Sequence, residues 1–86
     1  MTSALPLRVM VEDVWNEVFL ELPADTPVGE IKRQALAATR VRGDPSGYVL
    51  KYRGAEISDE SRSAADSGLV PNGALIVLAR RRRPVR

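Results

Sequence analysis

Apolar and polar residues alternate from Leu7 to Val11, with Leu7, Val9 and Val11 on one side and Arg8 and Met10 on the other. A period of two predicts a half-buried strand. Glu12-Asp13-Val14-Trp15-Asn16 breaks the alternation, which resumes as Val18, Leu20 and Leu22 against Phe19 and Glu21. Two alternating runs around a short polar joint predict a β-hairpin, here without an Asn-Gly turn. Pro23 marks the end of the second strand, because it has no N–H to give to a ladder. Thr26 followed by Pro27 predicts a helix N-cap and first helical position. Val28, Ile31, Ala35 and Ala38 then recur at helical spacing as one apolar stripe, which assigns Lys32, Arg33, Gln34 and Arg40 to the wet side. Glu30 early and Arg40 and Arg42 late suit the helix dipole, and the cluster Gly43, Asp44, Pro45, Gly47 is expected to stop the helix.

Residues 48–53 are rich in aromatic and β-branched side chains and predict a third strand. Gly54 marks a turn, residues 55–57 a brief strand, and the polar stretch 58–67 at most one helical turn. Residues 74–79, apolar throughout, predict the last strand. A hairpin, a helix and further strands make an α+β layer: one mixed sheet of four to five strands with its inner face on one helix. The expected core is Leu7, Val9, Val18, Leu20, Leu22, Val28, Ile31, Ala35, Leu50, Tyr52, Ile57, Leu69, Leu75 and Val77.

Composition narrows the chemistry. The 86 residues and 9.4 kDa allow one domain. Cysteine and histidine are both absent. That excludes disulfides, thiolate nucleophiles, imidazole bases and the usual zinc ligands, and it fits a reducing, cytoplasmic setting. No apolar run approaches the ~20 residues that span a bilayer, and the N-terminus does not read as a secretory signal. The adjacent pairs Glu12/Asp13 and Asp59/Glu60 read as solvated charge, the serines lack a histidine partner, and no Walker-type phosphate loop occurs. No catalysis, cofactor or metal is expected.

Charge divides the chain into residues 1–79 and a basic tail, 80–86. Five of the 13 basic residues (Arg80, Arg81, Arg82, Arg83 and Arg86) lie in the tail, leaving 8 basic against 11 acidic residues in the body. The pI near 9.5 therefore belongs to the tail. Such a run reads as a solubilising end or as a weak contact to nucleic acid or anionic membrane.

Three stretches carry a resemblance to the ubiquitin-like β-grasp proteins: Leu20-Glu21-Leu22-Pro23-Ala24-Asp25-Thr26-Pro27-Val28-Gly29-Glu30-Ile31-Lys32, then Leu50-Lys51-Tyr52-Arg53-Gly54-Ala55-Glu56-Ile57, then Asp66-Ser67-Gly68-Leu69-Val70-Pro71-Asn72-Gly73-Ala74-Leu75-Ile76-Val77-Leu78. The resemblance covers about residues 7–80 and implies a ubiquitin-like domain at 1–79. Two departures bear on function. Ubiquitin and the sulfur carriers end in a di-glycine that is adenylated, whereas no glycine follows Gly73 here. Conjugation would then need processing or a further extension. The isoleucine at the centre of ubiquitin's recognition face is matched by Lys51. The chain looks closer to the small bacterial ubiquitin-like proteins of type VII secretion loci, the YukD/EsaB group, which also lack a di-glycine end and carry a similar turn before the last strand.

The β-grasp strand order, 2-1-5-3, implies an outward patch of Met10, Val49, Ile76 and Leu78, rimmed by Arg8, Lys51, Arg53 and Arg80. Apolar centres with basic rims mark partner surfaces. Trp15 falls in the hairpin joint, where the family carries an apolar contact residue. It either fills a partner's pocket or folds back over Val14 or Pro6. The leading expectation is a non-catalytic, monomeric protein-interaction module, an adaptor or accessory subunit of a secretion system. The alternatives are an electrostatic binder working through Arg81, Arg82, Arg83 and Arg86, and a modifier that gains its di-glycine elsewhere.

Overall fold

The computed structural model describes residues 4–41 and 44–79. The alternation near the N-terminus becomes a hairpin of β1 (Ala4–Val11) and β2 (Asn16–Pro23), joined through a 3₁₀ turn at Glu12–Val14. Their antiparallel register sets Leu7 against Leu20 and Val9 against Val18, so the two apolar sets share one face. The single helix α1 (Val28–Ala38) follows, then a 3₁₀ turn at Pro45–Gly47 leading into β3 (Tyr48–Tyr52), the two-residue β4 (Ala55–Glu56), and β5 (Gly73–Ala79). β5 pairs in parallel with β1 and antiparallel with β3, giving the order β2-β1-β5-β3-β4. The mixed sheet on one helix is the α+β arrangement expected from the pattern.

β3 and β4 are joined by Arg53 and Gly54 at φ 56° and 82°. Positive φ at both central positions is the pattern of the type I′ turn, one of the two-residue hairpin turns whose twist matches its strands. Gly54 takes this conformation without strain, and Arg53 takes it as a side-chain-bearing residue.

Both ends of α1 differ from the sequence reading. Thr26 does not cap it; the position before the first helical residue is Pro27, and no side chain caps the helix. Backbone carbonyls from a distant segment do so instead. Val28 N–H donates to Arg62 O and Gly29 N–H to Glu60 O, each at 2.9 Å, while Ala64 N–H returns a bond to Thr26 O. Unpaired amides of a first helical turn need partners, and residues 58–67 supply them. That segment comes so close that a Cβ on Gly29 would lie 3.3 Å from Glu60 Cβ and O. The segment also contains the one helical turn expected of it, closed by Ser67 N–H to Ser63 O at 3.0 Å. At its far end α1 stops before Gly43. Arg40 adopts φ 61°, Arg40 N–H bonds to Ala37 O, and Val41 N–H reaches back to Leu36 O at 3.0 Å. This is the paired-bond ending that a left-handed residue makes possible.

The core is Leu5, Leu7, Val9 and Val11 from β1, Val28, Ile31, Ala35 and Leu36 from α1, Leu50, Leu75 and Val77 from β3 and β5, and Ala64 and Leu69. Val18, Leu20, Leu22, Tyr52 and Ile57, expected in the core, pack against it while partly buried. Ala38, assigned to the apolar stripe, is exposed, and Leu36 takes that role. The larger correction is Lys32. Placed on the wet side by its charge, it is only 2% exposed. Its ammonium donates to Tyr48 O at 2.9 Å and to a Glu60 carboxylate oxygen at 2.7 Å. It ties α1 to the entry of β3 and to the segment that caps the helix. No helix among the described residues is long and apolar enough to cross a membrane.

Candidate interaction surface

The sheet has one face on α1 and one face away from it. Registers define the second face row by row. Phe19 of β2 lies opposite Arg8 of β1, and Arg8 opposite Ala74 of β5. In the next row Glu17, Met10, Ile76, Lys51 and Glu56 follow one another across all five strands. Leu78 and Val49 make the pair beyond. The expected outward set of Met10, Val49, Ile76 and Leu78, with Arg8 and Lys51 beside it, therefore shares one face.

Its members differ in what they offer. Ile76 is 45% exposed, Met10 and Leu78 are half-buried, and Arg8 is exposed. Val49 points outward by register but is only 8% exposed, so it gives a partner almost no contact area. Arg53 does not stand on the rim of Lys51; it sits in the β3–β4 turn with its guanidinium 5.4 Å from the Tyr52 ring centroid. Arg80, Arg81, Arg82, Arg83 and Arg86 lie outside the described residues.

Phe19 enlarges the patch. It is 70% exposed, with the Arg8 guanidinium 5.8 Å from its ring centroid. Arg8 Nε also pairs with Glu17 at 3.6 Å. Phe19, Arg8 and Glu17 thus form a stacked ion-pair group whose energy is small at an exposed site but which orients the ring. The alternation already placed Phe19 outward. Its adjacency to Arg8 needed the β1–β2 register, which the sequence does not state.

Trp15 is at φ 50° and 76% exposed. Its N–H bonds to Glu12 O at 3.2 Å, and the 3₁₀ turn before it presents the indole to solvent rather than over Val14 or Pro6. Native tryptophan fluorescence is therefore expected near the emission of the unfolded chain, with little further red shift in denaturant. A marked red shift on unfolding would mean that the indole is covered. The joint is anchored beneath Trp15, where Tyr48 Oη donates to a carboxylate oxygen of Asp13 at 2.7 Å. That bond to a carboxylate, aided by desolvation, raises the Tyr48 phenol above its ordinary pKa.

The acidic pairs do structural work. Asp13 holds Tyr48, Glu60 holds Lys32, and Asp59 accepts from Ser61 Oγ at 2.6 Å and Ser61 N–H at 3.2 Å. Those bonds favour ionised Asp59 and lower its pKa. Among the described residues no group of three or more carboxylates could hold a metal ion. The chemistry this face offers is contact: an aromatic ring, aliphatic side chains and a few fixed charges.

The sequence matches no family model and no curated protein. Solved structures match over nearly the whole chain. The ubiquitin-like domain of an Arabidopsis thaliana protein aligns at TM-score 0.77 and 14% identity over 98% of this chain and 85% of that one. The ubiquitin of Caldiarchaeum subterraneum aligns at 0.75 and 16% identity over 95% and 96%. A de novo designed protein based on ubiquitin aligns at 0.78 and 14% identity over 98% of both chains. At such identities the likeness speaks for architecture alone. With its order β2-β1-β5-β3-β4 on one helix, the chain has the ubiquitin-like β-grasp fold.

Proposed function

We propose that this chain is a non-catalytic module that binds a protein partner through the sheet face opposite α1. The observation that carries the reading is the exposure of Phe19 and Ile76 at 70% and 45%, on neighbouring rows of one face, with Trp15 projecting at its end. Aromatic side chains near the centre of a contact dominate interface energies, and a polar rim such as Arg8 and Lys51 adds selectivity. An adaptor or accessory-subunit role is the form of this reading that suits a face offering an aromatic ring, aliphatic side chains and a few fixed charges. The secretion-locus association rests on the resemblance in the Ser67–Gly73 turn.

A charge on this face tests the reading. Ile76→Glu and Leu78→Glu are expected to abolish partner capture while moving the melting temperature by only a few degrees, because both side chains are partly solvated already. Unchanged capture by folded variants contradicts the reading. The arginine run at 80–83 and 86 supports a second one, electrostatic binding of nucleic acid or anionic membrane. Salt separates the two. Binding through the tail to nucleic acid weakens steeply between roughly 50 and 200 mM salt, as counterion release requires, and an apolar contact is far less sensitive.

A further inference from the structure

A cavity of about 390 Å³ opens between the β3–β4 hairpin and the segment 58–67 that caps α1. Its apolar wall is the ring of Tyr52 with Ala55 and Ile57, and Ser67 lines it from the capping segment. Tyr52 pairs with Leu75, a core residue, so the cavity lies on the α1 side of the sheet and not on the face of Ile76. The wall is held in place. A Cβ on Gly73 would lie 3.2 Å from Tyr52 Cε1, so the ring sits close against the start of β5. The Arg53 guanidinium is 5.4 Å from the centroid of the same ring, and Ile57 N–H donates to Leu50 O at 2.8 Å.

Four charged residues also line the cavity, and their signs cancel: Arg53 and Arg62 against Glu56 and Asp59. Three of the four are engaged. Arg53 lies over Tyr52, Arg62 donates to Asp66 O at 2.9 Å, and Asp59 accepts from Ser61. The Ser67 hydroxyl is not. Its Oγ is buried and, among the described residues, has no hydrogen-bond partner. A buried hydroxyl left unpaired costs free energy, which a ligand atom that pairs with it recovers.

Balanced charge disfavours an ionic ligand. Apolar walls, guanidinium planes and one free hydroxyl suit a flat, neutral ring that carries a hydroxyl of its own. We propose that this cavity receives a tyrosine side chain of a protein partner. The ring lies between Tyr52 and Ile57, and the phenol O–H donates to Ser67 Oγ. Apolar contact supplies the general attraction, and the hydroxyl pair selects tyrosine over phenylalanine, because the phenyl ring leaves Ser67 unpaired. This site is separate from the contact through Ile76 and Leu78 and does not depend on it.

The test is an NMR titration of the whole chain with N-acetyl-tyrosinamide and, in parallel, with the phenylalanine and phosphotyrosine analogues. The tyrosine amide is expected to shift amides of residues 55–59 and 67. It is expected to bind about fivefold more tightly than the phenylalanine amide, the worth of one net hydrogen bond. That comparison needs no variant. Ser67→Ala is expected to erase the preference by weakening the tyrosine amide alone, and Leu78→Glu to leave both affinities unchanged. The phosphotyrosine amide is expected to bind no better than the tyrosine amide. The proposal is overturned by absent binding, by equal affinity of the unaltered chain for tyrosine and phenylalanine amides, or by a preference that survives Ser67→Ala. Tighter binding of the phosphotyrosine amide, which would make this an anion site, or shifts centred on Ile76 and Leu78 overturn it as well.

Discussion

Replacing Lys32 by alanine is expected to cost about 3 kcal/mol of folding stability. Removing one partner of a buried ion pair costs roughly 3–5 kcal/mol, because the other partner and its acceptors are left unpaired. The lower end applies because the Glu60 side chain keeps 30% exposure and can hydrate. For a domain of this size the melting temperature should fall by roughly 12–24 °C. The loss has a local signature as well. The amides of Val28 and Gly29 donate to carbonyls of the segment that Lys32 holds, so their hydrogen exchange should accelerate more than that of β1. Glu60→Gln, which keeps an acceptor for the ammonium, should be milder. Urea unfolding followed by far-UV circular dichroism measures the cost, since Trp15 is exposed in the native state. A loss below about 1 kcal/mol, the net worth of an ordinary hydrogen bond, would mean that Lys32 is solvated.

Ile31→Ala is expected to cost about 2–5 kcal/mol, the range for emptying a well-packed aliphatic site. Ile31 is fully buried in the cluster that joins α1 to Leu7, Leu50 and Leu75. The spread reflects how far α1 can settle onto the sheet to close the void. Residues 58–67 hold the first turn of α1 by backbone bonds, which limits that settling and favours the upper half. Ala37→Ser, on the exposed side of the same helix, is expected to change stability by no more than about 0.5 kcal/mol. Equal costs for the two would contradict the assigned helix face.

β1 and β2 were legible because each carries its burial as a period of two, β3 and β5 because their runs are rich in aromatic, β-branched and other apolar side chains, and the hairpin pairing of β1 and β2 followed from nearness in sequence. The resemblance supplied the β2-β1-β5-β3 order. What escaped the sequence depends on contacts across long separations. The helix start was misplaced at Thr26 and Pro27 because its cap comes from Glu60 and Arg62, more than 30 residues away. Lys32 looked wet because a lysine's composition carries no hint of Glu60, 28 positions later, or of the Tyr48 carbonyl. The helix stop at Arg40 was missed because a left-handed arginine leaves no mark of the kind glycine does. On the candidate surface, the period together with the β-grasp strand order put Met10, Val49, Ile76 and Leu78 on one face but could not show that Val49 is covered, that Arg53 sits in a turn, or that Phe19 stands beside Arg8.

The central claim is that the sheet face opposite α1 is where partners bind. Site-specific photo-cross-linking tests it most directly, with a benzophenone side chain in place of Ile76 on the sheet or of Ala37 on the exposed side of α1. The account predicts discrete adducts from position 76 that excess unlabelled chain competes away and that Leu78→Glu removes, with none from position 37. The same adducts from position 37, or none from position 76, would contradict it.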